Sequence, residues 1–114
     1  MGLHHPQRDE IDVAQVLHAL SDPQRLRIVA RLAARGAEPC QCSAFGLDVT
    51  KSTLTHHFRV LREAGVISQV AVGTSKLNTL RREDLDARFP GLLDAVLGAV
   101  PAGDRALGAG TGAS

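Results

Sequence analysis

Residues 50–64, Thr-Lys-Ser-Thr-Leu-Thr-His-His-Phe-Arg-Val-Leu-Arg-Glu-Ala, constrain the fold more than any other stretch of the chain. Leu54, His57, Phe58 and Leu61 recur at i, i+3, i+4 and i+7, which is the apolar stripe of an amphipathic helix. Thr50 or Lys51 opens this helix, and Gly65 suits the left-handed turn that follows a last helical residue. The other face carries Ser52, Thr55, His56, Arg59 and Arg62, with Lys51 and Thr53 beside its start, and no carboxylate precedes Glu63. One side is made to dock on a core. The other offers the hydroxyls and guanidiniums needed by a helix that lies between phosphate strands and touches base edges. His57 falls inside the apolar stripe and is expected to be packed and hydrogen-bonded, not to face a base.

The chain around this helix is 114 residues long, the size of one domain. It has no Trp or Tyr and only three Phe, so its core must be built from Leu, Val, Ile and Ala. A core this thin gains burial by dimerising. The net charge of +1 says little, but its placement says more. Residues 51–82 hold six basic side chains (Lys51, Arg59, Arg62, Lys76, Arg81, Arg82) against Glu63, a local +5, whereas residues 1–50 sum to −1 and residues 83–114 to −3. A basic middle between acidic flanks gathers positive potential on one surface, as a nucleic-acid partner requires; the plainer reading is a solvated helix face. No apolar run approaches the roughly 20 residues of a membrane span, and no signal-peptide core opens the chain. These features predict a cytoplasmic protein without a membrane partner, in which Cys40 and Cys42 are thiols and not a structural disulfide.

In chain order, residues 1–9 are polar and unpatterned and are expected to be flexible. His4 and His5 sit there and supply too few ligands for a metal. Residues 10–100 form the ordered domain. Val13, Val16, Leu17 and Leu20 mark a first helix, with His18 off its stripe. Ser21-Asp22-Pro23-Gln24 starts a second: either Asp22 caps it with Pro23 at the first helical position, or Ser21 and Gln24 form a capping box. That helix runs to Arg35 and stops at Gly36, burying Leu26, Ile28, Val29, Leu32 and Ala33. Arg27, Arg31 and Arg35 line its far side, as a solvated stripe or as backbone-phosphate contacts. Residues 36–42 read as a loop and residues 43–47 as a short helix anchored by Phe45 and Leu47, so that this helix, a turn and residues 50–64 make a helix-turn-helix. Residues 66–72 and 76–80, joined by Gly73-Thr74-Ser75, read as a β-hairpin whose tip (Thr74, Ser75, Lys76) could reach an adjacent groove. A helical piece from Arg81 is interrupted by Pro90. Residues 91–100 form a last helix with few polar residues, which together with the first predicts a dimer seam of Val13, Val16, Leu17, Leu92, Leu93, Val96 and Leu97. Residues 101–114 are Gly/Ala-rich and are expected to be a disordered tail.

Two separated motifs carry a family resemblance. Ser52-Thr53-Leu54-Thr55-His56-His57-Phe58-Arg59-Val60-Leu61-Arg62-Glu63-Ala64-Gly65-Val66-Ile67 resembles the recognition helix and wing entry of the ArsR family of winged-helix bacterial regulators, and Leu20-Ser21-Asp22-Pro23-Gln24-Arg25-Leu26-Arg27-Ile28 resembles that family's second-helix opening. The likeness runs from about Val13 to Leu97. It implies a mainly α winged helix-turn-helix with one two-stranded hairpin, homodimeric, acting as a transcriptional regulator, in all expectation a repressor, on an inverted-repeat operator in double-stranded DNA. Lys51, Ser52, Thr53, Thr55, His56, Arg59, Arg62, Thr74, Ser75 and Lys76 are the expected DNA-binding residues, with Lys51 and Arg62 on phosphates.

Cys40-Gln41-Cys42 is a dithiol that can grip a soft thiophilic ion such as arsenite or lend two of four ligands to Zn²⁺. In metal-sensing members of the resembled family such a pair is the inducer site. This chain departs from them: Ser43-Ala44 replaces the Asp-Leu after the pair, Phe45 occupies the third thiol position, the segment to the next helix is about one residue shorter, and Asp94 is the only polar residue on the last helix. A metal- or redox-responsive repressor is therefore the alternative, a winged-helix protein-interaction module is another, and no cofactor is expected. No Gly-rich phosphate loop or nucleophile elbow occurs, which argues against an enzyme.

Overall fold

The structure is a computed structural model that describes residues 3–36, 40–41 and 50–100. A single 3₁₀ turn (Arg8–Glu10) precedes α1 (Val13–Leu20), α2 (Pro23–Arg35), β1 (Cys40–Gln41), α3 (Lys51–Glu63), β2 (Ile67–Val72), β3 (Ser75–Leu80), α4 (Arg82–Arg88) and α5 (Leu92–Ala99). The strands form one antiparallel sheet in the order β1-β3-β2.

α1, α2 and α3 each begin where a side chain takes up unpaired N–H groups of the first turn. The Asp12 carboxylate accepts from Gln15 N, so α1 starts at Val13, the first residue of the apolar pattern. At α2 the sequence left two caps open, and Asp22 is the one used: its Oδ1 accepts from Gln24 N at 2.8 Å and Arg25 N at 3.2 Å, with Pro23 at the first helical position. Thr50 caps α3. Gly65, at φ +88°, closes it, donating to Arg62 O while Val66 donates to Leu61 O. These paired bonds are the Schellman arrangement, and they turn the chain directly into β2.

β2 and β3 pair from Ile67↔Leu80 to Val72↔Ser75, leaving Gly73 and Thr74 as a two-residue turn. Gly73 has φ +61°, the positive value that the first position of such a hairpin turn demands. The hairpin expected as a wing is present, but it is not alone. Cys40 pairs with Asn78 and Gln41 with Leu77, so two residues assigned to a loop form a third strand. Two residues carry no readable period, and only the free edge of β3 gives them a partner.

The core lies among α1, α2, α3 and the root of the hairpin. Val16, Ala19, Ile28, Val29, Leu32, Phe58, Leu61, Val66 and Ile67 are all buried in it. α4 and α5 add Leu85, Leu93 and Leu97. This corrects the expected dimer seam. Val16 (1% exposed), Leu93 (2%) and Leu97 (8%) are core residues of the single chain, because α5 turns its Leu93–Leu97 row inward. Val13 (42%) and Leu17 (48%) are exposed, and Leu92 and Val96 are half-buried, with Val96 and Leu17 lining one groove.

The N-terminal segment, polar and unpatterned in sequence, has contacts in the fold. From Leu3 onward it packs on the domain: Pro6 and Ile11 are buried, and Ile11 fills the space above Gly65. Its polar composition concealed this, because the docking is made largely through backbone carbonyls. The expected short helix at residues 43–47 and the tail at residues 101–114 lie outside the described residues. Among the described residues, no helix is long and apolar enough to cross a membrane.

Candidate nucleic-acid interface

The first three turns of α3 present one continuous polar surface. Lys51, Ser52, Thr53, Thr55, His56 and Arg59 are all exposed, and the first turn holds no acid. Thr50 Oγ1 accepts from Thr53 N at 3.2 Å, donates to Thr53 Oγ1 at 2.9 Å and lies 3.3 Å from Ser52 Oγ, so the cap holds the hydroxyls of both Ser52 and Thr53. Arg59 Nη2 lies 3.4 Å from His56 Nδ1, which couples the two side chains one turn apart. The N-terminal end of a helix carries partial positive charge, and Lys51 adds to it. A surface with these donors suits phosphate oxygens and the acceptor edges of bases.

The opposite face fixes how that surface is held. Phe58 and Leu61 sit in the core, and His57 is buried beside them at 6% exposure. Its partner is Arg25 of α2, whose Nη1 is 3.2 Å from His57 Nδ1. Arg25 is itself buried, donating through Nε to Ala19 O at 2.7 Å and through Nη2 to His18 O at 3.4 Å. Those carbonyls end α1, where the helix dipole is negative, so the buried guanidinium has both acceptors and a favourable field. One side chain thus ties α1, α2 and α3 together. Arg25 donates, so His57 must accept at Nδ1 and carry its proton on Nε2. Burial pushes the His57 imidazole below its ordinary value of 6.5; the Asp22 carboxylate pulls back, while Arg25 and His56 push further down. Arg25 was not singled out from sequence, though a signal was there. It shares the i, i+3, i+4, i+7 row of Ile28, Val29 and Leu32, a cation where an apolar residue belongs.

Arg62 departs from the rest of the expected set. Its side chain is 11% exposed and is used within the protein: Nη1 donates to Gln69 Oε1 at 2.8 Å and Nε to His4 O at 3.1 Å. The structure therefore places it behind α3, at the root of the wing, not on the open face with Arg59. At the wing tip Thr74 and Lys76 are exposed and Ser75 is half-buried. Val70 and Val72 are exposed on β2. Arg27, Arg31 and Arg35 are half-buried on α2.

Of the two thiols, Cys40 is in β1 and Cys42 lies outside the described residues. Among the described residues no group of three or more His, Cys, Asp or Glu gathers as a metal site.

Comparison with known proteins adds independent findings. Residues 20–70 match a helix-turn-helix domain family. The chain is 34% identical over 92 residues to the helix-turn-helix-type transcriptional regulator YceK of Bacillus subtilis, covering 79% of this chain and 91% of that protein. It is 33% identical over 73 residues to the arsenical resistance operon repressor of the same organism, covering 63% of this chain and 69% of the repressor. In three dimensions it superposes on the crystal structure of an ArsR family transcriptional regulator with a TM-score of 0.60 at 22% identity, over 73% of this chain and 90% of the other. That likeness shows a shared winged-helix fold.

Proposed function

The chain belongs to the ArsR-type helix-turn-helix transcriptional regulators, and from that premise we propose how it meets its DNA. It is a DNA-binding regulator and not an enzyme. In the proposed complex it acts in the cytoplasm as a repressor, and a homodimer lays two copies of α3 into successive major grooves, about 34–36 Å apart, and so reads an inverted repeat. Ser52, Thr55, His56 and Arg59 face base edges, with Arg59 suited to a bidentate contact with guanine. Lys51, Thr53 and the wing tip at Thr74, Ser75 and Lys76 sit on phosphates or in the neighbouring minor groove. The observation that carries the reading is the carboxylate-free, exposed face of α3 backed by a rigid anchor at His57 and Arg25. The exposed Val13 and Leu17 on α1, with half-buried Val96 of α5 lining one groove with Leu17, support a two-fold contact through α1 and α5.

Selection of bound sequences from a random DNA pool tests this. The expected product is a single site with two-fold symmetry, and recovery of no enriched sequence would defeat the proposal.

A second reading concerns the signal. Kinship with an arsenical resistance repressor supports Cys40 and Cys42 as a metalloid- or redox-responsive pair. Titration with arsenite, Zn²⁺ and Cd²⁺ should then raise thiolate absorbance at one equivalent and release the selected DNA. An unchanged spectrum would end that reading.

A further inference from the structure

The docked N-terminal segment reaches both halves of the DNA-binding apparatus. Gln69 N, in β2, donates to His5 Nε2 at 2.9 Å, and His5 Nδ1 lies 2.9 Å from Leu3 O. The ring accepts at Nε2, so it is neutral and donates from Nδ1. One residue back, His4 O accepts from Arg62 at the end of α3; one residue on, Pro6 O accepts from Arg81 Nη1 at 2.7 Å. Arg62 also grips Gln69 Oε1, and Gln69 Nε2 donates at 2.8 Å to Asn78 Oδ1 of β3, a side chain that is fully buried. Leu3–Pro6 therefore lies across the joint between α3 and the hairpin, and its contacts close a chain running from α3 through β2 to β3 and on to the start of α4.

We infer that Leu3–Pro6 is a proton-sensitive brace, and that His5 is a positioning residue which fixes the angle of the wing against α3 for DNA binding. This rests on the DNA-binding reading above. A second proton on His5 would place an N–H at Nε2 against the Gln69 N–H, donor facing donor. The new charge would meet Arg62 from α3, Arg81 ahead of α4 and His4 on the segment itself. Asp84 is already paired with Arg81 and Arg8, and Glu63 lies beside Arg62. Burial, aided by Arg62, Arg81 and His4 and opposed by the Leu3 carbonyl, holds the imidazole below its ordinary 6.5. A histidine held down in this way contributes fully above about pH 6.5 and loses its contribution as pH falls further. The segment then lets go of the wing root, and the hairpin is free to swing.

Two measurements on the full chain test this, using His5→Ala, which removes the acceptor, and His5→Gln, which keeps an acceptor that cannot titrate. The first is the exchange protection of the Gln69 amide in DNA-free protein. Between about pH 7.5 and 5.5 it should fall roughly three- to tenfold in the wild type, the worth of one hydrogen bond, and stay level in His5→Gln. The second is affinity for a duplex of about 30 base pairs, long enough for two half-sites, selected from a random pool with the wild type. Acidification should weaken the wild type roughly three- to tenfold more than His5→Gln, and His5→Ala should bind more weakly than either at neutral pH. The three proteins differ only at residue 5, so the difference belongs to His5. Gln69 protection that does not respond to pH in the wild type, or identical binding by the wild type and both variants, would overturn the inference. A wild type that binds no duplex would overturn the functional reading, and Gln69 exchange would then decide the brace by itself.

Discussion

Gly65→Ala is the sharpest structural test of how α3 is joined to the wing. Gly65 sits at φ +88°, where a Cβ costs about 1–2 kcal/mol. The added methyl also has no room: it would lie 2.6 Å from Ile11 Cγ1, 3.0 Å from Ile11 Cδ1 and 3.3 Å from Pro6 Cγ. Ile11 is only 1% exposed and cannot swing out to solvent, so the overlap has the cost of overpacking, about 1–3 kcal/mol. Loss of glycine's freedom in the unfolded chain returns about 0.4–1 kcal/mol. The net expectation is a loss of about 2–4 kcal/mol, seen as a lower urea midpoint and a Tm lower by roughly 10–25 °C for a domain of this size. A loss under about 1 kcal/mol would refute the reasoning. A mutant cycle separates the two parts. Ile11→Ala removes the overlap, so the double variant should be about 1–2 kcal/mol more stable than the sum of the single changes, and strict additivity would show that the clash is not real.

The remaining predictions concern single side chains. Arg59→Ala should weaken binding to the selected duplex by about 1–3 kcal/mol and relax preference at one base pair, whereas Lys51→Ala should lower the salt slope by about one with preference kept; unchanged affinity and preference in Arg59→Ala would contradict its assignment. Arg62→Ala should behave differently, lowering stability by about 1–3 kcal/mol through the lost Gln69 and His4 contacts while leaving the salt slope alone; a slope reduced by about one would put Arg62 on a phosphate. His57, held below 6.5 chiefly by burial, contributes stability that is complete above that pH and lost as pH falls below it. The urea midpoint of the wild type should therefore drop between about pH 7 and 5 by more than that of His57→Gln, and equal drops would rule the group out.

The sequence revealed most where one side chain answers one local question. The stripe of Leu54, His57, Phe58 and Leu61 predicted both the helix and its buried face, His57 included. Asp22-Pro23 and Gly65 marked helix ends through backbone geometry that few other residues supply. What stayed hidden depends on partners distant in sequence. Arg62 and Arg59 look alike on a helical wheel, and only the position of Gln69 and of the His4 carbonyl sends one inward. Leu3–Pro6 has no periodicity to read because its carbonyls, and not its side chains, make two of its bonds. Val16, Leu93 and Leu97 were misplaced because apolar residues predict burial without saying whether the same chain or another provides it.

The central claim is that the open face of α3 reads base edges. A base-by-base interference footprint on the selected duplex, run with the wild type and with Arg59→Ala, tests it most directly. The account predicts two short clusters of major-groove bases about one helical turn apart on one side of the duplex, with a guanine position lost from each cluster in Arg59→Ala. A footprint confined to phosphates, or one that Arg59→Ala leaves unchanged, would contradict it.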